Sequence, residues 1–125
     1  MKSKRQEKIL ELIADHSVQT QEQLLASQLA VQIIGLGILV PVAEELIFRG
    51  LLYARIRRTL PVWASVLTAS VIFALYHGNM IQILFAFPMA IILTLLYEKG
   101  KWISYPILFH MGVNLTTVVL GALAG

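Results

Sequence analysis

The stretch Ala43-Glu44-Glu45-Leu46-Ile47-Phe48-Arg49-Gly50 sets two adjacent carboxylates and an arginine inside an apolar run. Between Val31 and Val42 the one polar side chain is Gln32, and Leu46 to Ala54 is again mostly apolar. Ionisable groups are costly to desolvate, so in such a segment they mark function. Spacing divides their work. At roughly 100° per residue on a helix, Glu44 and Glu45 point in different directions. Glu45 and Arg49 are i, i+4 neighbours in the favoured order, and can neutralise each other on one face. Glu44 has no local cation, and an unpartnered carboxylate in an apolar helix is suited to taking a proton.

Working outward, composition gives the class. Of the 125 residues 58% are hydrophobic and 14% charged, and the mean hydropathy is +0.76. A soluble domain would carry nearer a quarter charged residues. The expectation is an all-α, polytopic membrane bundle. The first sustained apolar run begins near Leu29, after a long polar stretch, so no secretory signal is expected. The absence of cysteine excludes disulfides and thiolate metal sites. A net charge of +3 does not by itself point to nucleic acid.

The chain divides into a polar, amphipathic segment (1–26) and a transmembrane core (27–125). In the first, Ile9, Leu10, Leu12 and Ile13 form an apolar stripe. His16 to Glu22 reads as a turn, with Thr20 as helix N-cap. This segment resembles the opening of arginine-repressor-like winged-helix domains. No third, recognition helix follows, so no nucleic-acid partner is expected. The core should hold about four membrane helices: Ser27–Tyr53, Val62–His77, Met80 or Ile81 to Tyr97, and Trp102–Leu123, each near the ~17–25 residues that span a bilayer. Pro41 should kink the first just before Glu44. Arg55, Arg57 and Arg58, and then Glu98 to Lys101, mark aqueous boundaries on one side, which the positive charge assigns to the cytoplasm.

Three further polar residues stand in apolar helices. Phe73 precedes His77 by one turn, and His110 precedes Asn114 by the same interval. A lone histidine there usually serves as an interhelical hydrogen-bond partner. Two carboxylates, two histidines and an amide on three helices can instead converge in a bundle core.

Glu44-Glu45…Arg49, Phe73…His77 and His110…Asn114, in this order and each on its own apolar helix, resemble the signature of the CPBP intramembrane proteases. That family comprises type II CAAX prenyl endopeptidases and the Abi-like, bacteriocin-processing or immunity proteins. The resemblance covers about residues 33–119. It implies an intramembrane endopeptidase acting on a membrane-associated peptide or protein. In it Glu44 is the general base that activates water, His77 binds the same water, and His110 with Asn114 stabilises the oxyanion. Glu45 and Arg49 are then structural, and Phe73 fixes the His77 rotamer. A metal-independent glutamate mechanism is expected, because no His-Glu-x-x-His motif is present. The alternative is a metallopeptidase with zinc on Glu44, His77 and His110. A prokaryotic cell membrane is the expected location. Family members commonly carry further helices before the Glu-Glu helix, so a second copy or a helper membrane protein would complete the cavity. A non-catalytic immunity protein on the same scaffold, and a proton or cation pathway through Glu44, His77 and His110, are the competing functions.

Overall fold

The computed structural model describes residues 3–124, which form four helices. Helix α1 runs without interruption over Lys4–Ile56, α2 over Val62–Tyr76, α3 over Met80–Gly100 and α4 over Ser104–Ala124. The architecture is an all-α membrane bundle. Helices α1, α3 and α4 are long and apolar enough to cross a bilayer. Helix α2, with 15 residues, rises roughly 22 Å at 1.5 Å per residue, short of a ~30 Å hydrocarbon core.

The turn expected at His16–Glu22 does not form, and that reading is corrected: these residues are helical. Between Ser3 and Ile34 there is neither glycine nor proline to break the helix. Thr20 is no N-cap, since its hydroxyl bonds back to the His16 carbonyl at 2.8 Å. The actual N-cap is Ser3, in a capping box with Gln6. At 53 residues, α1 extends roughly 80 Å, so its N-terminal half projects beyond any bilayer core. Residues 3–28 are exposed accordingly.

Pro41 acts on the backbone in a specific way. The helix is not broken but widened ahead of the proline, being π-helical over Ile33–Leu39; a second π-helical stretch, Leu46–Tyr53, lies beyond the ring's reach. A proline ring clashes with the carbonyl four residues earlier, and a wide turn relieves that clash. The segment Val40–Glu45 between the two wide turns is α-helical and carries both glutamates.

Helix α2 ends at Tyr76, and Gly78 turns the chain at φ +66°. Asn79 then caps α3, its side chain accepting from the Ile81 and Gln82 amides. Helix α3 passes through Pro88 and reaches Gly100, three residues beyond the expected end. Its left-handed capping residue is Lys101, at φ +60°. Gly100 serves packing instead: a Cβ there would collide with the Tyr105 ring of α4.

The bundle buries polar groups among small and aromatic residues and turns most of its large aliphatic side chains outward. Small residues on α2 and α3 (Ser65, Ala69, Ser70, Ala74, Ala86, Ala90 and Thr94) are buried, which lets those helices approach closely. Leu84, Phe85, Leu108 and Leu123 point outward, as a lipid-facing surface requires. Two apolar clusters close the core, one of Phe48, Phe73, Ala74, Ala86 and Ala90, the other of Tyr53, Val66 and Ala69.

Candidate active site

The site is built on α1, where the Pro41 turn delivers Glu44 and Glu45 into the bundle. Glu45 is fully buried and Arg49 is 1% exposed. The predicted i, i+4 pair forms, with Arg49 Nη1 donating to Glu45 Oε1 at 2.9 Å. Arg49 is held on two further sides. Its Nη2 donates to the Ala90 carbonyl of α3 at 3.1 Å, and its guanidinium lies 4.5 Å from the Phe73 ring centroid of α2. A buried arginine so enclosed ties three helices together. Its loss would strand the Glu45 charge.

His110, on α4, reaches across to both glutamates. Its Nδ1 lies 2.8 Å from Glu45 Oε1 and its Nε2 lies 3.6 Å from Glu44 Oε2. Glu45 is already neutralised by Arg49, so it accepts, and His110 carries its proton on Nδ1. The lone pair of Nε2 then faces Glu44. At 3.6 Å this second contact is slightly longer than a hydrogen bond, and the two acceptors can bond only when a proton sits on one of them. The glutamates thus differ in environment. Glu45 is sealed, while Glu44 retains 13% side-chain exposure. Glu45 Oε2 finds no hydrogen-bond partner among the described residues.

His77 closes α2. Its Nδ1 lies 3.0 Å from the Phe73 carbonyl. A carbonyl can only accept, so Nδ1 is the donor and Nε2 is left with a free lone pair. The Phe73 ring lies against both imidazoles, with centroids 5.0 Å from His77 and 6.0 Å from His110, both edge-on. Phe73 therefore meets the Arg49 cation and His110 as well as the His77 ring one turn on, and only the last of these follows from local spacing.

Asn114 sits one turn beyond His110 and donates to the Leu36 carbonyl of α1 at 2.9 Å. That carbonyl needs an external donor. Val40 N–H bonds to Gly35 across the wide turn, which leaves Leu36 to the next residue, Pro41, and Pro41 has no N–H. Gly37, buried at the same crossing, allows α4 to approach: a Cβ would lie 2.5 Å from Leu115 Cδ2.

The fold therefore links Glu44, Glu45, Arg49, Phe73 and His110 in one run of contacts, joins His77 to it through the Phe73 ring, and sets Asn114 beside it. Long-range partners were beyond local spacing: Glu45 as a ligand of His110, the Ala90 carbonyl for Arg49, and the Leu36 carbonyl for Asn114. Only the last left a trace, since Pro41 announces an orphaned carbonyl somewhere upstream. As for zinc, among the described residues no three His, Cys, Asp or Glu side chains converge closely enough to hold a metal ion. Glu44, His77 and His110 are not gathered into a three-ligand set as they stand. Both His110 nitrogens are directed at carboxylates.

Comparison with known proteins gives the family. Over 80 residues, the chain is 29% identical to a Bacillus subtilis (strain 168) protein named "Putative membrane peptidase YdiL", an alignment that takes in 64% of this chain and 33% of that protein. The chain spans about a third of the length of this curated relative. No solved structure matches it significantly. The family described as "Type II CAAX prenyl endopeptidase Rce1-like" matches residues 26–116, which include every side chain of the candidate site. The chain is an integral membrane protein and belongs to the Rce1-like family of type II CAAX prenyl endopeptidases.

Proposed function

We propose that this chain is an intramembrane endopeptidase of the glutamate type, hydrolysing a peptide bond in a membrane-associated substrate. The observation that carries the reading is the unequal pair: Glu45 is consumed by Arg49 and His110, whereas Glu44, next in sequence, is partly open and faces His110 Nε2. Glu44 takes a proton from a water molecule, and the His77 Nε2 lone pair holds the same water by accepting its other proton. The water oxygen attacks the scissile carbonyl, and the carbonyl oxygen becomes an oxyanion. A proton passed from Glu44 to His110 Nε2 makes an imidazolium, balanced by the Glu44 carboxylate so regenerated and held through Nδ1 by Glu45 at 2.8 Å. His110 then donates to the oxyanion, with the free Asn114 N–H as second donor. Collapse breaks the C–N bond, and the amine nitrogen leaves with the proton.

The mechanism uses no metal and takes place in a multi-pass protein of a prokaryotic cell membrane. A second copy or helper protein supplies the rest of the cavity wall. The deciding experiment reconstitutes the chain in liposomes with a membrane-anchored reporter peptide. Cleavage by wild type that is lost in Glu44→Gln and retained after exhaustive chelation is the expected result. Equal cleavage by Glu44→Gln would remove the base assigned here, and loss on chelation with recovery on adding zinc would replace the mechanism.

A further inference from the structure

At the end of the bundle where α1 and α3 stop and α2 and α4 begin, a second polar cluster lies apart from the glutamates. Tyr53 Oη donates to Glu98 Oε2 at 2.8 Å, Lys101 Nζ lies 2.9 Å from Glu98 Oε1, and Arg57 Nε stands 3.6 Å from the same oxygen. One carboxylate thus holds two cations side by side. Together with Arg58 they line a cavity of about 230 Å³, floored by Tyr53 and Tyr97. Three cations against one carboxylate leave the lining with two positive charges in excess. Arg57 Nε is shielded from solvent and has no hydrogen-bond partner among the described residues, since Glu98 stands too far off. That nitrogen is enclosed, so an anion in the cavity would be met by the outer guanidinium groups, of which Nη1 already donates to the Leu60 carbonyl at 3.2 Å.

The level of this cavity identifies the anion's source. Trp63 at the start of α2 and Trp102 just before α4 are both 70% exposed, at the same end of the bundle. Exposed tryptophans at helix ends lie at the headgroup level of a bilayer, where the available anions are lipid phosphates. We propose that Arg57, Arg58 and Lys101, held in place by Glu98 and Tyr53, form a binding site for the phosphate of an anionic phospholipid. The site is independent of the peptidase reading. Arginine meets phosphate with paired N–H groups and lysine with a point charge, so the cavity offers both modes.

The test uses the full chain in a zwitterionic detergent, with thermal unfolding followed as phosphatidylglycerol or phosphatidylcholine is added. Phosphatidylglycerol should raise the unfolding temperature and phosphatidylcholine should not, and native mass spectra should retain one phosphatidylglycerol per chain. In Arg58→Gln/Lys101→Gln the lipid's apparent affinity should fall on the order of twenty-fold, each lost cation being worth about a factor of five near a charged surface. Arg55→Gln removes a charge from the same end without touching the cavity lining, and should leave the affinity nearly unchanged. Equal weakening by Arg55→Gln would reduce the effect to general surface charge and overturn the site. Unchanged affinity in the double variant would do the same. Stabilisation by inorganic phosphate, or by an acidic soluble peptide, as strong as that by phosphatidylglycerol would overturn the lipid assignment.

Discussion

Asn114 on α4 donates its amide to the Leu36 carbonyl on α1 at 2.9 Å, supplying the hydrogen bond that Pro41 cannot make. A proline five residues after a carbonyl in a wide helical turn leaves that carbonyl bare, and in a bilayer no water replaces the donor. Asn114 therefore fixes α4 against α1 immediately beside the glutamates, whatever further part it takes in the chemistry.

The coupling of these two residues is measurable. Asn114→Ala should destabilise the bundle by about 1 kcal/mol, the usual scale of an interhelical hydrogen bond in a membrane. In a Pro41→Ala background residue 41 has an N–H, and the same substitution should cost less than half as much. Unfolding of the four proteins of this double-mutant cycle in detergent checks it. Additive losses would show that Asn114 does not stand in for the missing donor.

Arg49 and Glu45 should behave as a unit. Arg49→Met alone leaves a buried carboxylate without its cation and should cost about 3–5 kcal/mol. Combining it with Glu45→Gln, which removes the charge, should recover much of that loss, because what destabilises is the unpaired ion. Thermal unfolding and the yield of monodisperse protein report the effect.

Glu44 and Glu45 should separate stability from activity. Glu44 is partly open and makes no hydrogen bond within the described chain, so Glu44→Gln should leave the unfolding temperature within a degree or two. Reporter cleavage should fall by roughly 10²–10⁴-fold, the range expected on losing a general base. Glu45→Gln should lose stability as well, through the Arg49 and His110 contacts.

His77 should exist as its Nδ1–H tautomer, because Nδ1 faces the Phe73 carbonyl at 3.0 Å. Nitrogen-15 spectra of histidine-labelled protein would show a protonated Nδ1 and an unprotonated Nε2. The opposite tautomer would direct a donor, not a lone pair, at the site and would exclude His77 as the acceptor of the attacking water's proton.

Gly100 should tolerate no side chain larger than hydrogen. Gly100→Val would displace the Tyr105 ring and should cost about 1–3 kcal/mol through overpacking. Gly78, with open space around it and φ +66°, would instead be penalised by backbone strain alone on the same substitution.

Much of the bundle was legible from local pattern. The apolar runs located α2, α3 and α4 to within a few residues, and Gly78-Asn79 and the Arg55–Pro61 boundary punctuated them because glycine, proline and clustered charge act on the chain nearby. The N-terminal turn misled. Thr20 reads as a capping residue, yet its hydroxyl, like that of Ser17, bonds to an upstream carbonyl within the helix, so nothing compels the chain to turn. The far end of α3 was drawn short for a related reason. Glu98 and Lys99 read as an aqueous boundary, but both are good helix formers, and Glu98 has its hydrogen bond with Tyr53, 45 residues away.

Residue order alone tells that this protein lives in a membrane, that Glu45 and Arg49 neutralise each other, and that Glu44, His77, His110 and Asn114 are polar groups needing explanation. All of that follows from hydropathy and from helical spacing, which are properties of near neighbours. Only the folded bundle shows that His110 bridges the two glutamates, that Phe73 lies against both imidazoles, and that Asn114 answers Pro41. Those pairings join residues 65 and 78 positions apart in the first and last cases, and no local periodicity fixes which face of one helix meets which face of another. Close packing does, through the gaps left by Gly37 and by the small residues between α2 and α3.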